Sequence, residues 1–530
     1  PTVFSLTDAS YSEGNLIINH IGDAPTTASN TLKIRPAAGI SVAITSTQAS
    51  LPILKTIGLS YFTIDGNPFG AESLTITNNS ATAPLGIHLS SSGTTAITQD
   101  TIKNLTTVCG LNSGTTLTAV GISISDQAAG GFSNGYGNGI VVSNCTMQKT
   151  MYGVLCSGGS VVGTANMTNI SFIGNNLATS GANQIAYCGL AMQGTNGGLI
   201  SQNTIANFEN ATGQDDRAIW LPTAAKNIVV ERNNINSLGY VGTGGYGNYG
   251  VLVTTGETAC NNIIRNNVIA DLWGDGWTHI SVLGDNTHGI YANGTQTGIK
   301  IYNNSISLGR NTLNQTDALT TGICLGTGST ADIRNNSIVN NAGLSAATGY
   351  GSTCIYLQSG VSQLENSNYN NLYNNATGSG VKLVGKVATT NYATLALYKA
   401  ATSLDGSSVS GDPAYTSATN LLPDITNSNS WTLNGNGVQG LVTNDYNGAS
   451  RSTTVSGGPV DIGAYEFTPS ATPPTATASG APANSTTTTY TLNGRLLCSI
   501  TWGAGGTVPT SVTFTYYPGV PPPGSIGYQV

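Results

Sequence analysis

Charge is scarce in this chain. Its 530 residues carry 17 Lys+Arg and 24 Asp+Glu, 8% in all, where an average soluble domain has roughly 25%. A net charge of −7 without a basic cluster offers nothing to neutralise phosphates, which argues against nucleic acid as a partner. Long apolar runs are missing too: no stretch approaches the roughly 18 residues of a membrane-spanning helix, so no membrane insertion is expected. Helical periodicity of about 3.6 residues is absent from the repeating part of the chain, which excludes helical repeats. The opening Pro1-Thr2-Val3-Phe4-Ser5-Leu6 reads as the middle of a strand rather than a signal peptide and predicts a processed or trimmed start. Eight cysteines fit an exported protein, but even parity alone sets no disulfide framework.

Gly, Asn, Thr and Ser fill the space that charge leaves, and they are ordered. One string recurs, a Gly, a branched aliphatic, any residue and a second apolar residue: Gly86-Ile87-His88-Leu89, Gly121-Ile122-Ser123-Ile124, Gly153-Val154-Leu155-Cys156, Gly189-Leu190-Ala191-Met192, Gly250-Val251-Leu252-Val253, Gly289-Ile290-Tyr291-Ala292 and Gly322-Ile323-Cys324-Leu325, with variants Ala218-Ile219-Trp220-Leu221 and Cys354-Ile355-Tyr356-Leu357. Successive starts lie 29 to 39 residues apart. A second string, such as Asn267-Val268-Ile269 or Asn336-Ser337-Ile338, falls between each pair. Two interleaved strings with a period of about 33 residues make each repeat one supersecondary unit, a coil. Short β-branched strands between Gly and Asn favour an all-β parallel β-helix, and the crossover rule makes it right-handed.

The asparagines have a mechanical reading. At a tight corner Asn tolerates left-handed backbone, and its amide can bond the same residue one coil away. The expected ladder comprises Asn104, Asn144, Asn175, Asn203, Asn233, Asn267, Asn304 and Asn336. If the aliphatics after each Gly point inward, the residue between them points outward. That outward column reads His88, Ser123, Leu155, Ala191, Trp220, Leu252, Tyr291, Cys324 and Tyr356. Cys156 then faces inward and Cys324 outward, so they are not stacked partners, and Cys156 and Cys188 read as buried free thiols.

Beyond residue 376 the register is lost. The strings Phe62-Thr63-Ile64-Asp65-Gly66, Gly411-Asp412-Pro413-Ala414-Tyr415, Asn444-Asp445-Tyr446-Asn447-Gly448-Ala449-Ser450-Arg451 and Val460-Asp461-Ile462-Gly463-Ala464-Tyr465-Glu466 resemble those of secreted, repeat-rich parallel β-helix proteins common in Bacteroidota. The resemblance covers roughly residues 1–467. It implies export, often by the type IX route, with attachment to the bacterial cell surface or release; it implies no single activity. Residues 468–489 read as a Pro/Ala/Thr linker. Residues 490–530 read as a small β-sandwich-like segment, short for an independent fold, that is continued beyond Val530 or completed by another chain.

Chemistry is expected where the period is interrupted, in the segments leading from an asparagine string to the next glycine string. These are residues 207–217, 236–249 and 271–288. They carry the candidate catalytic residues Asp215, Asp271, Asp275, Asp285 and His288. With Trp220, Tyr291 and Tyr356 of the outward column, Trp273, Trp277 and Tyr246 are candidate ligand-binding aromatics. Rings stack on the apolar faces of sugars while acids and amides accept hydroxyl protons, so a groove on the outer face for a surface glycan is the expectation. Asp215 and Asp216, adjacent in an extended segment, point to opposite faces. No third ligand accompanies His279 and His288 at a metal-binding spacing, and nothing supports calcium or any other cofactor.

Two functions compete. The first is a non-enzymatic surface protein, adhesive or glycan-binding, with end-to-end self-association into filaments available through unpaired strand edges. The second is a polysaccharide lyase or glycoside hydrolase using paired carboxylates. Neither a Gly-His-Gly string nor a basic cluster with calcium-binding acids, as in β-helix hydrolases and pectate lyases, is present. Ice binding through Thr arrays is disfavoured by the uneven coil lengths.

Overall fold

The computed structural model of the chain describes residues 2–19, 26–113, 118–128, 131–310, 317–342, 351–378, 380–453 and 459–472. Residues 473–489 of the expected linker and the whole of 490–530 lie outside these residues. Within them the chain winds into a parallel β-solenoid. Each coil crosses three sheets, as in Lys226–Glu231, Asn234–Tyr240 and Asn248–Val253, after which Ile263–Arg265 returns to the first. The sheets hold 14, 12 and 13 strands. Every pairing between strands is parallel except the last, Val381–Val387 with Thr390–Tyr392. Inward residues of one coil stack on those of the next: Ile228, Val230, Ile235, Leu238, Val251 and Val253 are fully buried, in one core that runs the length of the solenoid.

The recurring glycine marks where coils crowd. A Cβ on Gly250 would lie 2.5 Å from the carbonyl oxygen of Gly289, and one on Gly289 would lie 2.5 Å from that of Gly322. In the coils with Ala218 and Cys354 a side chain is accommodated at this level. The ladder makes no pair at each of these residues while the register is kept, Tyr249 pairing with His288 and Val251 with Ile290. The side chain before the glycine therefore faces outward, beside the expected outward column.

Asparagines do form a ladder, one residue out of step with expectation at its start. The Oδ1 of Asn203 accepts from the backbone N–H and the Nδ2 of Asn175, both at 2.9 Å. The same pair of bonds repeats from Asn203 to Asn233, Asn233 to Asn267, Asn267 to Asn304, Asn304 to Asn336 and Asn336 to Asn370. Each Nδ2 also donates to a carbonyl one coil back, as Asn233 does to Ile200 at 2.9 Å. Asn144 is not a rung. The ladder position in its coil is Cys145, whose N–H donates to Asn175 Oδ1. Asn104 is likewise off the ladder, bonding Asp65 instead.

The left-handed corner belongs to the residue before each rung. Positive φ occurs at Gly174, Gln202, Arg232, Asn266, Asn303, Asn335 and Tyr369, and at Asn104 and Asn144. The Asn-Asn doublets thus divide two tasks: the second residue bonds coil to coil inside, and the first turns the corner outside.

Outside, that first asparagine receives the chain's own C-terminal region. After Val387 a short hairpin leads to the helix Leu395–Thr402, capped by Thr394, and its Tyr398 is fully buried against the end of the core. The chain then runs back along the solenoid as a strap. Asn335 exchanges two hydrogen bonds with the backbone of Val438, at 2.8 and 3.0 Å. Asn303 Nδ2 donates to the carbonyl of Asp461, and Arg232 Nε to that of Tyr446. Ala464 and Tyr465 pack on Val268 and Ala270 of the second sheet. Arg451, 4% exposed, pairs with Glu466 and donates to the carbonyls of Asp461 and Gly463. The helix also bears on assembly, because head-to-tail stacking through this end would have to displace it.

Candidate functional site

Two outward columns occupy the outer face of the third sheet. One is the expected column; the other holds the residues before each glycine, Tyr152, Cys188, Arg217, Tyr249, His288 and Thr321, in register. Loops cover most of this face, so the open aromatic groove expected from the sequence is largely filled. Tyr291 and Tyr356 are only 3% and 6% exposed. Leu283 from the 274–286 loop packs with Tyr249, Leu252 and Tyr291, and His279 meets Tyr356 edge to face. At the N-terminal side, His88 is buried with its Nε2 on Ser125 Oγ and the carbonyl of Asp126, and burial pushes it down to about 4.

One place stays partly open, around Trp220, Arg217, Asp215 and Asp285, all half-buried. The guanidinium of Arg217 lies 4.3 Å from the ring centre of Tyr187, 4.9 Å from Trp220 and 5.6 Å from Tyr249, and donates to the carbonyl of Asp215 at 2.6 Å. Such contacts pin a cation over ring faces. Trp220 is fixed by Nε1 donating to Thr254 Oγ1 at 2.8 Å and by Phe132 set edge-on. Asp215 accepts from the backbone N–H of Gly247 at 2.8 Å. Burial pushes Asp215 up to about 7, the charge of nearby Asp285 adding to the effect, and burial raises Asp285 as well. Asp216, on the same strand, points into the core and takes no part.

His288 forms the floor. Its Nδ1 meets Thr321 Oγ1 at 2.6 Å and its Nε2 the carbonyl of Leu283 at 3.0 Å, and Tyr249 stacks on it. Burial pushes it down to about 4, so it is neutral and closed in, a support rather than a proton donor to a ligand.

The remaining candidates lie elsewhere. Asp271 and Trp273 are not in a loop: they belong to the second-sheet strand Val268–Trp273 and are buried. Asp271 is gripped by Arg310 through Nε at 2.7 Å and through Nη2, and Arg310, itself over the Trp273 ring, also reaches Glu209. Asp275 is buried, accepting from the N–H groups of Gly245 and Tyr246, which holds the 240–247 loop. Tyr246 packs on Tyr240. Trp277 is 40% exposed; the Cβ that Gly245 lacks would fall on its ring. The structure therefore joins Asp215, Asp285, His288, Trp220 and Tyr291, with Tyr356 in the same apolar cluster as Tyr249 and Tyr291, and separates Asp271, Asp275 and Trp273 from them. Arg217, Tyr187 and Tyr249 complete the site. The signal for Arg217 and Tyr249 was their shared place before the glycine of the repeat.

Among the described residues no group of three or more His, Cys, Asp and Glu is gathered for a metal ion, and no helix is long and apolar enough to cross a membrane. The seven described cysteines are buried and unpaired.

No protein-family model matches the chain, and no curated protein does. Solved structures similar to it are β-helix proteins. The Dettilon tailspike protein (gp208) is 13% identical over 72% of this chain, with a TM-score of 0.40, and the chain spans 62% of that protein. The A-module of the Azotobacter vinelandii mannuronan C-5 epimerase AlgE6 is 12% identical over 74% of this chain and 91% of its own, with a TM-score of 0.32. The periplasmic alginate epimerase AlgG is 10% identical over 66% of this chain and 76% of its own, with a TM-score of 0.26.

Proposed function

We propose that the chain is a non-enzymatic, adhesive β-solenoid of a bacterial surface or of secreted material, and that it binds a glycan at Trp220, Arg217 and the Asp215–Asp285 pair. The observation that carries this reading is the half-buried indole of Trp220, held by Thr254 and Phe132 with the Arg217 guanidinium 4.9 Å from its ring centre. An exposed part of an indole ring offers a stacking face for the apolar side of a sugar. The Arg217 guanidinium and the half-buried carboxyls of Asp215 and Asp285 supply donors and acceptors for hydroxyls beside it. The site is partly open and preorganised by buried neighbours.

A glycan array followed by titration calorimetry tests the reading. Wild type binds at least one glycan, and Trp220→Ala and Arg217→Ala weaken it at least tenfold with the fold retained. Release of reducing ends from any polysaccharide, abolished by Asp215→Asn, would instead establish the glycosidase reading that the raised Asp215 would serve as an acid.

A further inference from the structure

The corner that leads into the first sheet is built twice in the same way, once with an amide and once with an acid. In residues 224–228 the backbone is left-handed at Ala224 and Asn227; in residues 58–62 it is left-handed at Gly58 and Tyr61. The N–H of Ala224 donates to Thr255 and that of Asn227 to Cys260; the N–H of Gly58 donates to Ser90 and that of Tyr61 to Thr98. Cys260 and Thr98 each stand two residues before a buried polar side chain, Asn262 and Asp100. Asn262 Oδ1 accepts from the N–H of Ile228 at 2.9 Å, and Asp100 Oδ1 accepts from the N–H of Phe62 at 2.9 Å. Strand register agrees, since Val229 pairs with Ile263 and Thr63 with Thr101.

The second polar atom separates the two corners. Asn262 Nδ2 donates to the carbonyl of Ala225, three residues before Ile228, at 3.1 Å. The equivalent carbonyl for Asp100, three residues before Phe62, is that of Leu59. Asp100 Oδ2 has no hydrogen-bond partner, although Asp100 is fully buried. An ionised carboxylate there would face a carbonyl oxygen with no cation to meet it, a costly arrangement. A carboxylic acid has the donor the position needs.

We propose that Asp100 is carried as the neutral acid and donates its Oδ2 proton to the carbonyl of Leu59, replacing the corner amide, so that the N-terminal coils are a pH-responsive part of the solenoid. The charged residues on the strands around it, Asp65 of Phe62–Asp65 and Lys103 of Thr101–Lys103, are paired with one another, and Lys33 of the preceding coil pairs with the same Asp65. The strands Ile97–Thr98, Gly137–Asn138 and Val141–Ser143 carry no ionisable side chain; the nearby tyrosines Tyr61 and Tyr136 meet this corner through their backbone, Tyr61 N–H donating to Thr98 and the Tyr136 carbonyl accepting from Ile97. Burial pushes Asp100 up to about 8, in keeping with a proton held at neutral pH.

The sign follows from linkage. Between the unfolded value of about 3.9 and about 8, the folded chain holds a proton that the unfolded chain has released. Asp100 by itself therefore raises the unfolding constant about tenfold for each pH unit in that window, and its contribution levels above it. Asp100→Asn supplies the donor without the proton. Urea denaturation of the full chain is expected to show Asn at this position more stable than wild type at pH 8, the gap closing by pH 4. Asp100→Ala is expected to be less stable than wild type at pH 4, having lost both bonds. Hydrogen exchange of the unsubstituted chain gives an independent reading: between pH 6 and 9 the Phe62 amide loses protection, after correction for intrinsic exchange, while that of Ile228 keeps it. A gap between Asn and Asp that does not change with pH, or equal protection of Phe62 and Ile228 across the range, would overturn the proposal.

Discussion

Asp215 and Asp285 stand on either side of the coil that carries the buried ring of Tyr249, and the charge of Asp285 raises the pKa of Asp215. Neither carboxyl is fully solvated, so Asp215 feels both burial and a like charge. Asp285→Asn is therefore expected to lower the pKa of Asp215 from about 7, while burial keeps it above that of an ordinary carboxylate. Carboxyl carbon chemical shifts followed by NMR titration check this, and an Asp215 titration that does not move would remove the pair as a unit. Glycan affinity in that variant should lose its pH dependence near neutrality.

The ladder predicts unequal costs for equal substitutions. Asn233→Ala strips four bonds and leaves the N–H of Asn203 buried without its partner. A loss of about 3 kcal/mol is expected. Asn144→Ala touches no rung and forfeits only the tolerance of asparagine for left-handed backbone, about 1 kcal/mol. Urea midpoints of the two variants decide; equal losses would contradict a ladder that starts at Asn175 and passes Asn144 by.

Whole-chain stability should fall as pH rises from about 6.5 to 8. Asp100, Asp215 and Asp461 are pushed by burial to about 8, 7 and 7. Their raised values mean that the folded state keeps protons the unfolded state has lost, so stability is present in acid and is lost as pH climbs. His88 and His288, pushed down to about 4, act oppositely, losing stability as pH drops below about 6.5. Above that point the histidines are neutral in both states and the carboxyls alone set the slope. Thermal midpoints measured at pH 6.5 and 8 check the direction, and a higher midpoint at pH 8 would contradict it.

The strap depends on Arg451. Arg451→Met removes the cation between Glu466 and the carbonyls of Asp461 and Gly463, and stranding a buried partner of an ion pair typically costs about 3 kcal/mol or more. Because the strap contacts the solenoid from outside, the loss should be local. Limited proteolysis is expected to cut within residues 440–467 while the solenoid's own unfolding transition stays in place. Simultaneous loss of both would show the strap to be integral to the coils.

Several features could be read from order alone. The interval between glycine strings, the alternation of Ile and Val, and the asparagine strings determine a parallel β-solenoid, because only stacked coils give each short strand a buried face and each amide a like partner. The facing of Asp215 and Asp216 to opposite sides also follows from strand alternation. Other matters depended on exact corner geometry. A shift of one residue decides that Cys145 and not Asn144 meets the ladder, and that Arg217 faces outward before its alanine. Loop closure decided the fate of the rings: Tyr291 and Tyr356 occupy outward positions as the period requires, yet loops bury them, and period carries no information about what a loop will cover. The pairing of Asp215 with Asp285, 70 residues apart in sequence, exists only because coil stacking brings residues two repeats apart within electrostatic reach.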